Sequence, residues 1–261
     1  IGTAKPSLEE MDDVPHYFIG SHQLSDEVTA AQFEREALEL LKELFQEHEV
    51  VILTGGSGMF VDALCNGLDD IPTSKSLRDE LQQEVNQGNL SSLLEELKAT
   101  DPIYFEQVDR KNPVRVVRAI EVIRLTGRPY SQLRKSKPKK RPFNVQRFVI
   151  EHDREFLYDR INRRVDIMMN AGLLDEVKSV IEFRHLSSMN TVGYKELFNY
   201  LDGNCSLEEA IEMIKQNSRR YAKRQITWLK RNPEAQWVPF TATEKMVKQI
   251  INYLKTEKIL E

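Results

Sequence analysis

The stretch Val50-Val51-Ile52-Leu53-Thr54-Gly55-Gly56-Ser57-Gly58 decides the reading of the fold. Its first four residues are apolar and three of them are β-branched, too short a run for a helix and the composition of a buried strand. The glycines end that run, and Met59–Leu68 resumes with helical spacing. Upstream, Phe33, Ala37, Leu40, Leu41 and Leu44 recur at three- and four-residue intervals between charged residues, so residues 29–47 read as an amphipathic helix. Helix, buried strand, glycine turn and helix predict an α/β layer built on a parallel sheet.

Working outward, residues 76–133 carry helical patterns with polar interruptions at Gly88, Asp101-Pro102, Asn112-Pro113 and Gly127, and no strand pattern. They read as a helical insertion. Proline suits the first position of a helix, so Asn112-Pro113 starts one that runs to about Thr126 and stops at Gly127. Lys135–Pro142 is a basic linker, and Val145–Glu151 is a strand returning to the sheet. Asp153 starts a helix to about Ala171, ahead of Gly172, and Leu173–Phe183 forms the next. Ser206 with Glu209 three residues on is a capping-box pattern, opening a helix that reaches about Lys230. Residues 243–257 form a last helix. The expected domains are an α/β core of residues 1–73 and 141–261 and a helical insertion of residues 74–140.

The chain has 261 residues, 40% apolar and 30% charged, which excludes collagen-like, low-complexity and wholly disordered classes. Its uncharged apolar stretches are far shorter than a membrane span, and the first residues lack the basic-then-apolar pattern of a signal peptide. Cys65 and Cys205 fit no zinc spacing and read as reduced thiols of a cytoplasmic protein. The net charge of −4 hides a strong asymmetry. Residues 1–50 hold 12 acidic and 3 basic side chains; residues 110–147 hold 13 basic ones against Glu121 alone; residues 215–231 hold 7 and no acid. A single cationic run is ordinarily a solvated face, but two such blocks on helical patterns point to a polyanion partner such as RNA.

Three features could carry chemistry. Thr54-Gly-Gly-Ser-Gly58 places backbone N–H groups, a helix N-terminus and the Ser57 hydroxyl past the end of a strand, where ligands of α/β sheets sit. The same glycines are equally accounted for by tight strand–helix packing, and no Walker A sequence is present. Arg115 and Arg118, three apart on the Val114–Leu125 helix and preceded by Arg110 and Lys111, share one face and can grip phosphates. A salt-bridged surface helix is the structural explanation, with Glu121 as its local partner. From Lys215 to Arg231, Arg219 with Lys223 and Arg220 with Arg224 are like-charged pairs four apart, a mildly destabilising arrangement that suits an anionic partner. Tyr221, Ile226 and Trp228 on that helix are expected to pack inward. The histidines show no metal spacing.

Seven segments, in order along nearly the whole chain, carry a resemblance: Ile1-Gly-Thr-Ala-Lys-Pro6, Val14-Pro-His16, Thr54-Gly-Gly-Ser-Gly-Met-Phe60, Asn112-Pro-Val-Arg-Val-Val-Arg-Ala-Ile-Glu121, Thr126-Gly-Arg-Pro129, Val192-Gly-Tyr-Lys-Glu196 and Arg220-Tyr-Ala-Lys-Arg-Gln-Ile-Thr-Trp228. Together the chain resembles the tRNA dimethylallyltransferase (tRNA isopentenyltransferase) family. The resemblance implies a P-loop NTPase-like parallel-sheet core with a helical insertion domain. It also implies transfer of the dimethylallyl group from dimethylallyl diphosphate to N6 of adenosine 37 beside the tRNA anticodon, with Mg²⁺ on the diphosphate. The partners it implies are tRNA and dimethylallyl diphosphate, for a cytoplasmic monomer that uses no membrane.

By the same resemblance, Thr3, Lys5, Gly55, Gly56 and Ser57 bind substrate, Ser57 standing where the family usually has threonine. Ser57, Arg78, Arg115 and Arg118 meet tRNA by that resemblance, and Lys215, Arg219, Arg220, Lys223 and Arg224 are expected to meet it by their charge pattern. Asn190 departs from the arginine that some members aim at the diphosphate. The family's P-loop, and an Asp-Ser segment whose Asp is the general base, are expected ahead of Ile1. No catalytic or metal-ligating residue is therefore assigned within these 261 residues, and they are expected to be inactive by themselves while retaining weak tRNA binding. A P-loop small-molecule kinase shares the core but has no use for two tRNA-sized basic blocks. A non-catalytic RNA-binding module is the other alternative.

Overall fold

The computed structural model describes residues 1–3, 5–26, 28–135 and 137–259. Ala4 of the Ile1–Pro6 segment and Ser136 of the basic linker lie outside the described residues. The chain divides into two compact units, Ile1–Val61 with Asn144–Glu261, and Asp62–Phe143.

In the first unit, a short helix α1 (Leu8–Met11) and the amphipathic α2 (Ala30–Leu44) precede the loop that leads into α3 (Gly58–Asn66). Thr29 caps α2 by accepting from the Gln32 N–H. The second unit contains α4 (Lys75–Asn86), α5 (Leu90–Thr100), α6 (Pro102–Gln107), α7 (Pro113–Thr126) and α8 (Tyr130–Leu133). The chain then returns to the first unit with β1 (Phe148–Glu151), α9 (Arg154–Asn170), α10 (Leu173–Ser179), α11 (Tyr194–Leu201), α12 (Leu207–Leu229), β2 (Gln236–Pro239) and α13 (Thr243–Thr256). The architecture is α/β, rich in helix, with a small parallel sheet.

Helix α7 is the axis of the second unit. The Asn112 side chain accepts from the Arg115 N–H, Pro113 occupies the first position, and Gly127 ends the helix in the left-handed region at φ 66°. Its Val116, Ala119 and Ile120 are buried against Leu81 of α4 and Leu93 and Leu97 of α5. The first unit buries Val165 of α9, Leu173 and Val177 of α10, Leu197 of α11 and Ile214 of α12 in a separate core. The capping box of α12 is formed from both sides, Ser206 Oγ accepting from Glu209 N and Glu209 Oε2 accepting from Ser206 N.

Strand β1 pairs with β2 in parallel, from Phe148 opposite Gln236 to Glu151 opposite Pro239. A parallel pair needs a long crossover, and α9 to α12 provide it. The sequence reading misses β2, because Pro239 and the mixed polarity of Gln-Trp-Val-Pro demote it as a strand.

Two expectations fail. Val50–Leu53 is not a strand: among the described residues the sheet has two strands, neither of them this segment, and Ile52 stands 85% exposed. Composition signals that a segment suits a buried strand, but a strand also needs a partner backbone for its N–H and C=O groups. Leu173–Phe183 is not one helix. It stops at Ser179, Val180 leaves helical geometry, and a 3₁₀ turn follows at Ile181–Phe183. The returning strand is also shorter than Val145–Glu151.

Truncating the core of the second unit tests the role of α7's partners. Leu97→Ala, at a site with no solvent exposure, is expected to destabilise the chain by about 2–5 kcal/mol, seen as a lower urea midpoint with the slope unchanged.

Candidate functional site

The glycine loop is held by α12. The Gln225 side chain donates to the Gly56 carbonyl at 2.9 Å. A Cβ on Gly56 would fall 2.0 Å from Gln225 Nε2, and one on Gly58 would fall 2.5 Å from the Trp228 indole. Packing therefore accounts for Gly58, and for Gly56 as long as Gln225 keeps its bond to the loop, while a Cβ on Gly55 would meet nothing within 4 Å. Packing and ligand access coexist: Gly55, Gly56 and Ser57 remain exposed, and Ser57 directly precedes α3, its carbonyl accepting from the Phe60 and Val61 N–H groups. Phe60 in turn continues an aromatic row, Phe18 to Phe33 at 5.0 Å and Phe33 to Phe60 at 5.3 Å, which ties α2 to the start of α3.

Helix α12 divides its cations by face. Lys215 pairs with Asp166 of α9 at 2.8 Å and with Glu212 at 3.1 Å, and Arg219 donates to Asn162 of α9. These two candidates help join α12 to α9, so the like-charge argument finds part of its answer inside the protein. Arg220 donates to Asn217 at 3.3 Å. Lys223 and Arg224 are exposed, Arg224 lying 5.5 Å from the Tyr221 ring. Tyr221 is 43% exposed and does not pack inward. Residues 221, 224, 225 and 228 share one face by helical spacing, so Tyr221 and Arg224 stand on the face whose Gln225 and Trp228 meet the loop. Arg147 lies over the Trp228 ring, 5.4 Å from its centroid.

Thr3 and Lys5 are exposed, and the segment that carries them is placed through Gly2. The Gly2 N–H donates to Glu176 Oε1 at 2.8 Å, the same oxygen that accepts from the Tyr194 hydroxyl at 2.6 Å. A Cβ on Gly2 would meet the Tyr194 ring at 2.3 Å. Neither Thr3 nor Lys5 hydrogen-bonds Gly55, Gly56 or Ser57 among the described residues. Sequence reasoning passes over Glu176, which carries no pattern of its own. Glu196 is quoted within the Val192–Glu196 segment but given no role; its carboxylate accepts from the Gly193 N–H at 2.8 Å and from Asn217 of α12 at 2.7 Å. A glutamate three residues after a glycine at a helix start is the signal that could have found it.

In the second unit, Arg78 and Arg118 converge on Glu121, which is fully buried. Arg118 Nη1 donates to Glu121 Oε2 at 2.8 Å, and Arg78 Nη2 to Oε1 at 3.2 Å. Thr73 Oγ1 and the Ser74 N–H complete the set at 2.9 and 2.8 Å. Arg118 also donates to the Pro72 and Ile71 carbonyls at 3.0 and 3.2 Å. Arg115, one turn back on α7, is exposed and makes no side-chain hydrogen bond or ion pair among the described residues. The basic linker is partly structural, because Arg141 donates to the Leu64 and Ala63 carbonyls near the end of α3.

A family model described as IPP transferase matches residues 1–232. The chain belongs to the IPP transferase family. A tRNA dimethylallyltransferase 1 of Bacteroides thetaiotaomicron is 51% identical over 261 residues, covering 99% of this chain and 83% of the relative. The crystal structure of a tRNA isopentenylpyrophosphate transferase from Bacillus halodurans is 37% identical, with a TM-score of 0.68 over 99% of this chain and 82% of that one. A eukaryotic dimethylallyltransferase described as acting on tRNA shares the fold, with a TM-score of 0.81 at 22% identity, over 99% of this chain and 69% of that one. In this IPP transferase no helix among the described residues is long and apolar enough to cross a membrane.

Two consequences are measurable. Gly58→Ala gains at most about 1 kcal/mol of helix propensity at this first position of α3, against a cost of roughly 1–3 kcal/mol for a Cβ that would fall 2.5 Å from the Trp228 indole. The variant is expected to be less stable in thermal unfolding. The second concerns acid. Burial alone would push the Glu121 carboxyl up, but Arg118, the Ser74 N–H, Arg78 and Thr73 more than offset it and hold it below its ordinary value of 4.5. The stabilisation is therefore complete above that ordinary value and is lost as pH falls through the depressed native one. Glu121→Gln is expected to lower stability at neutral pH by about 3–5 kcal/mol and to flatten the acid limb of a stability–pH curve.

Proposed function

We propose that this IPP transferase moves a dimethylallyl group from dimethylallyl diphosphate to N6 of adenosine 37, next to the anticodon of a tRNA. The observation that carries the reading is the glycine loop held by Gln225 and Trp228 of α12, with Tyr221 and Arg224 exposed on the same helix face. The family match over residues 1–232 and relatives named for this transfer support it.

The chemistry needs three things. The N6 nitrogen attacks C1 of the allyl group as the C1–O bond to diphosphate breaks, and the N6 proton leaves to a base. None of this chain's residues is assigned as that base. Gly55, Gly56 and Ser57 offer backbone donors and a hydroxyl at the start of α3, where anionic oxygens are favoured. Thr3 and Lys5 are assigned to the same substrate by the family resemblance. Adenosine 37 must be turned out of its stack to present N6, and exposed cations hold the RNA phosphates. Of the candidates, Arg224, Lys223, Arg220 and Arg115 suit that role by exposure, Lys215 and Arg219 less so because they join α12 to α9.

The P-loop-type core remains part of this proposal; the parallel β1–β2 pair is what such a core requires. The Mg²⁺ expected on the diphosphate finds no group of three histidine, cysteine or acidic side chains suited to it among the described residues, and no step is derived through it.

The test is transfer and binding together. The protein expressed from its whole gene, incubated with dimethylallyl diphosphate and an anticodon stem-loop carrying adenosine 37, is expected to yield the prenylated nucleoside on mass analysis of the digested RNA. Arg224→Ala is expected to weaken stem-loop binding and reduce the steepness of its salt dependence by about 1, and to do so more than Lys215→Ala. Absence of both RNA binding and prenyl transfer would refute the reading.

A further inference from the structure

We infer that Glu121 is a positioning residue, holding Arg78 and Arg118 side by side as a two-guanidinium clamp for a backbone phosphate of the RNA. The inference rests on the proposed function and adds a residue whose own carboxylate never meets the ligand.

A carboxylate with no exposure is costly to keep charged unless its oxygens are fully satisfied. Here each oxygen has a guanidinium. Oε2 accepts from Arg118, while Oε1 accepts from Arg78, Thr73 and the Ser74 N–H. Both arginine side chains remain partly exposed while bonded to the buried carboxylate, 38% for Arg78 and 31% for Arg118. Arg118 is fixed most fully. Of its five N–H donors, two on Nη1 serve Glu121 and Pro72 and one on Nη2 serves Ile71, leaving Nε and the second Nη2 hydrogen outside these bonds. Thr73 Oγ1 links the pair a second time, since it accepts from Arg78 while donating to Glu121. Long arginine side chains lose rotamer entropy when a phosphate orders them. Two arginines already ordered on one buried anion bind with that cost largely met during folding.

The clamp and simple charge counting predict opposite signs. Removing the Glu121 charge raises the local charge by one, so counting alone predicts tighter RNA binding and a steeper salt dependence for Glu121→Gln. Positioning predicts weaker binding, by about tenfold, and a slope shallower by about one to two as ordered phosphate contacts are lost. The measurement is fluorescence anisotropy of a labelled anticodon stem-loop over a salt series, at a temperature where circular dichroism shows each variant folded.

Arg78→Ala and Arg118→Ala should each weaken binding in the native background and much less in Glu121→Gln, the non-additivity expected of residues acting as a unit. Thr73→Val, which keeps the buried charge, should weaken binding in the same direction, and it decides the matter if Glu121→Gln does not fold. Binding by Glu121→Gln or Thr73→Val equal to or tighter than that of the native protein overturns the clamp and leaves the proposed function standing. A native protein that binds no stem-loop overturns both.

Discussion

A helix can lie directly against a loop only where the loop carries no side chain in the way. Gly56 and Gly58 supply that condition for α12: a Cβ at either position would enter Gln225 or the Trp228 ring. The loop gains a fixed partner in α12. At its other end α12 is tied to α9 through Lys215 and Arg219, and to α11 through Asn217 and Glu196. Because these ties lie roughly two to three turns away from Gln225, they set the helix's orientation without occupying the face that bears Tyr221 and Arg224.

Cationic blocks on an acidic chain invite one explanation, and the structure divides them into two populations. One is engaged within the fold: Lys215 and Arg219 between helices, Arg141 on the carbonyls near the end of α3, and Arg124 with Glu84 and Glu96. The other is turned to solvent, as with Arg115, Lys223 and Arg224. Arg78 and Arg118 belong to both, bonded to Glu121 yet partly exposed. Net charge per segment is therefore a poor guide to ligand affinity. A guanidinium already paired to a carboxylate attracts a phosphate less than a lone one does, yet it is better placed to receive it.

Elements defined by local chemistry were legible in the sequence. The Asn112-Pro113 start and Gly127 stop of α7, the Ser206–Glu209 capping box and the spacing of α2 all depend on residues within a few positions of one another, where hydrogen-bond geometry leaves little freedom. Elements that depend on distant partners were not. Val50–Leu53 has the composition of a strand but pairs with none among the described residues, and Gln236–Pro239 has a partner in β1 without the composition. The site shows the same divide. The glycines and the arginine spacing are visible as patterns, but Glu176 and Glu196 act through contacts reaching tens of residues along the chain. The inward expectation for Tyr221 failed because helical spacing places it with Arg224, on the face left open.

Glu121 shows why a buried charge can be informative where an exposed one is not. A carboxylate in water needs no protein partner, so its surroundings say little about selection for a particular geometry. At zero exposure every bond to Glu121 must be supplied by the chain, and it recruits two arginines rather than two neutral donors. Neutral donors such as the Thr73 hydroxyl and the Ser74 N–H are also present and could satisfy one oxygen by themselves. For local stability, an apolar side chain of similar volume could replace the whole arrangement at little cost. What such a side chain could not do is keep two cations ordered and partly open at one corner of the helical unit, and that is the property an RNA-modifying enzyme can use.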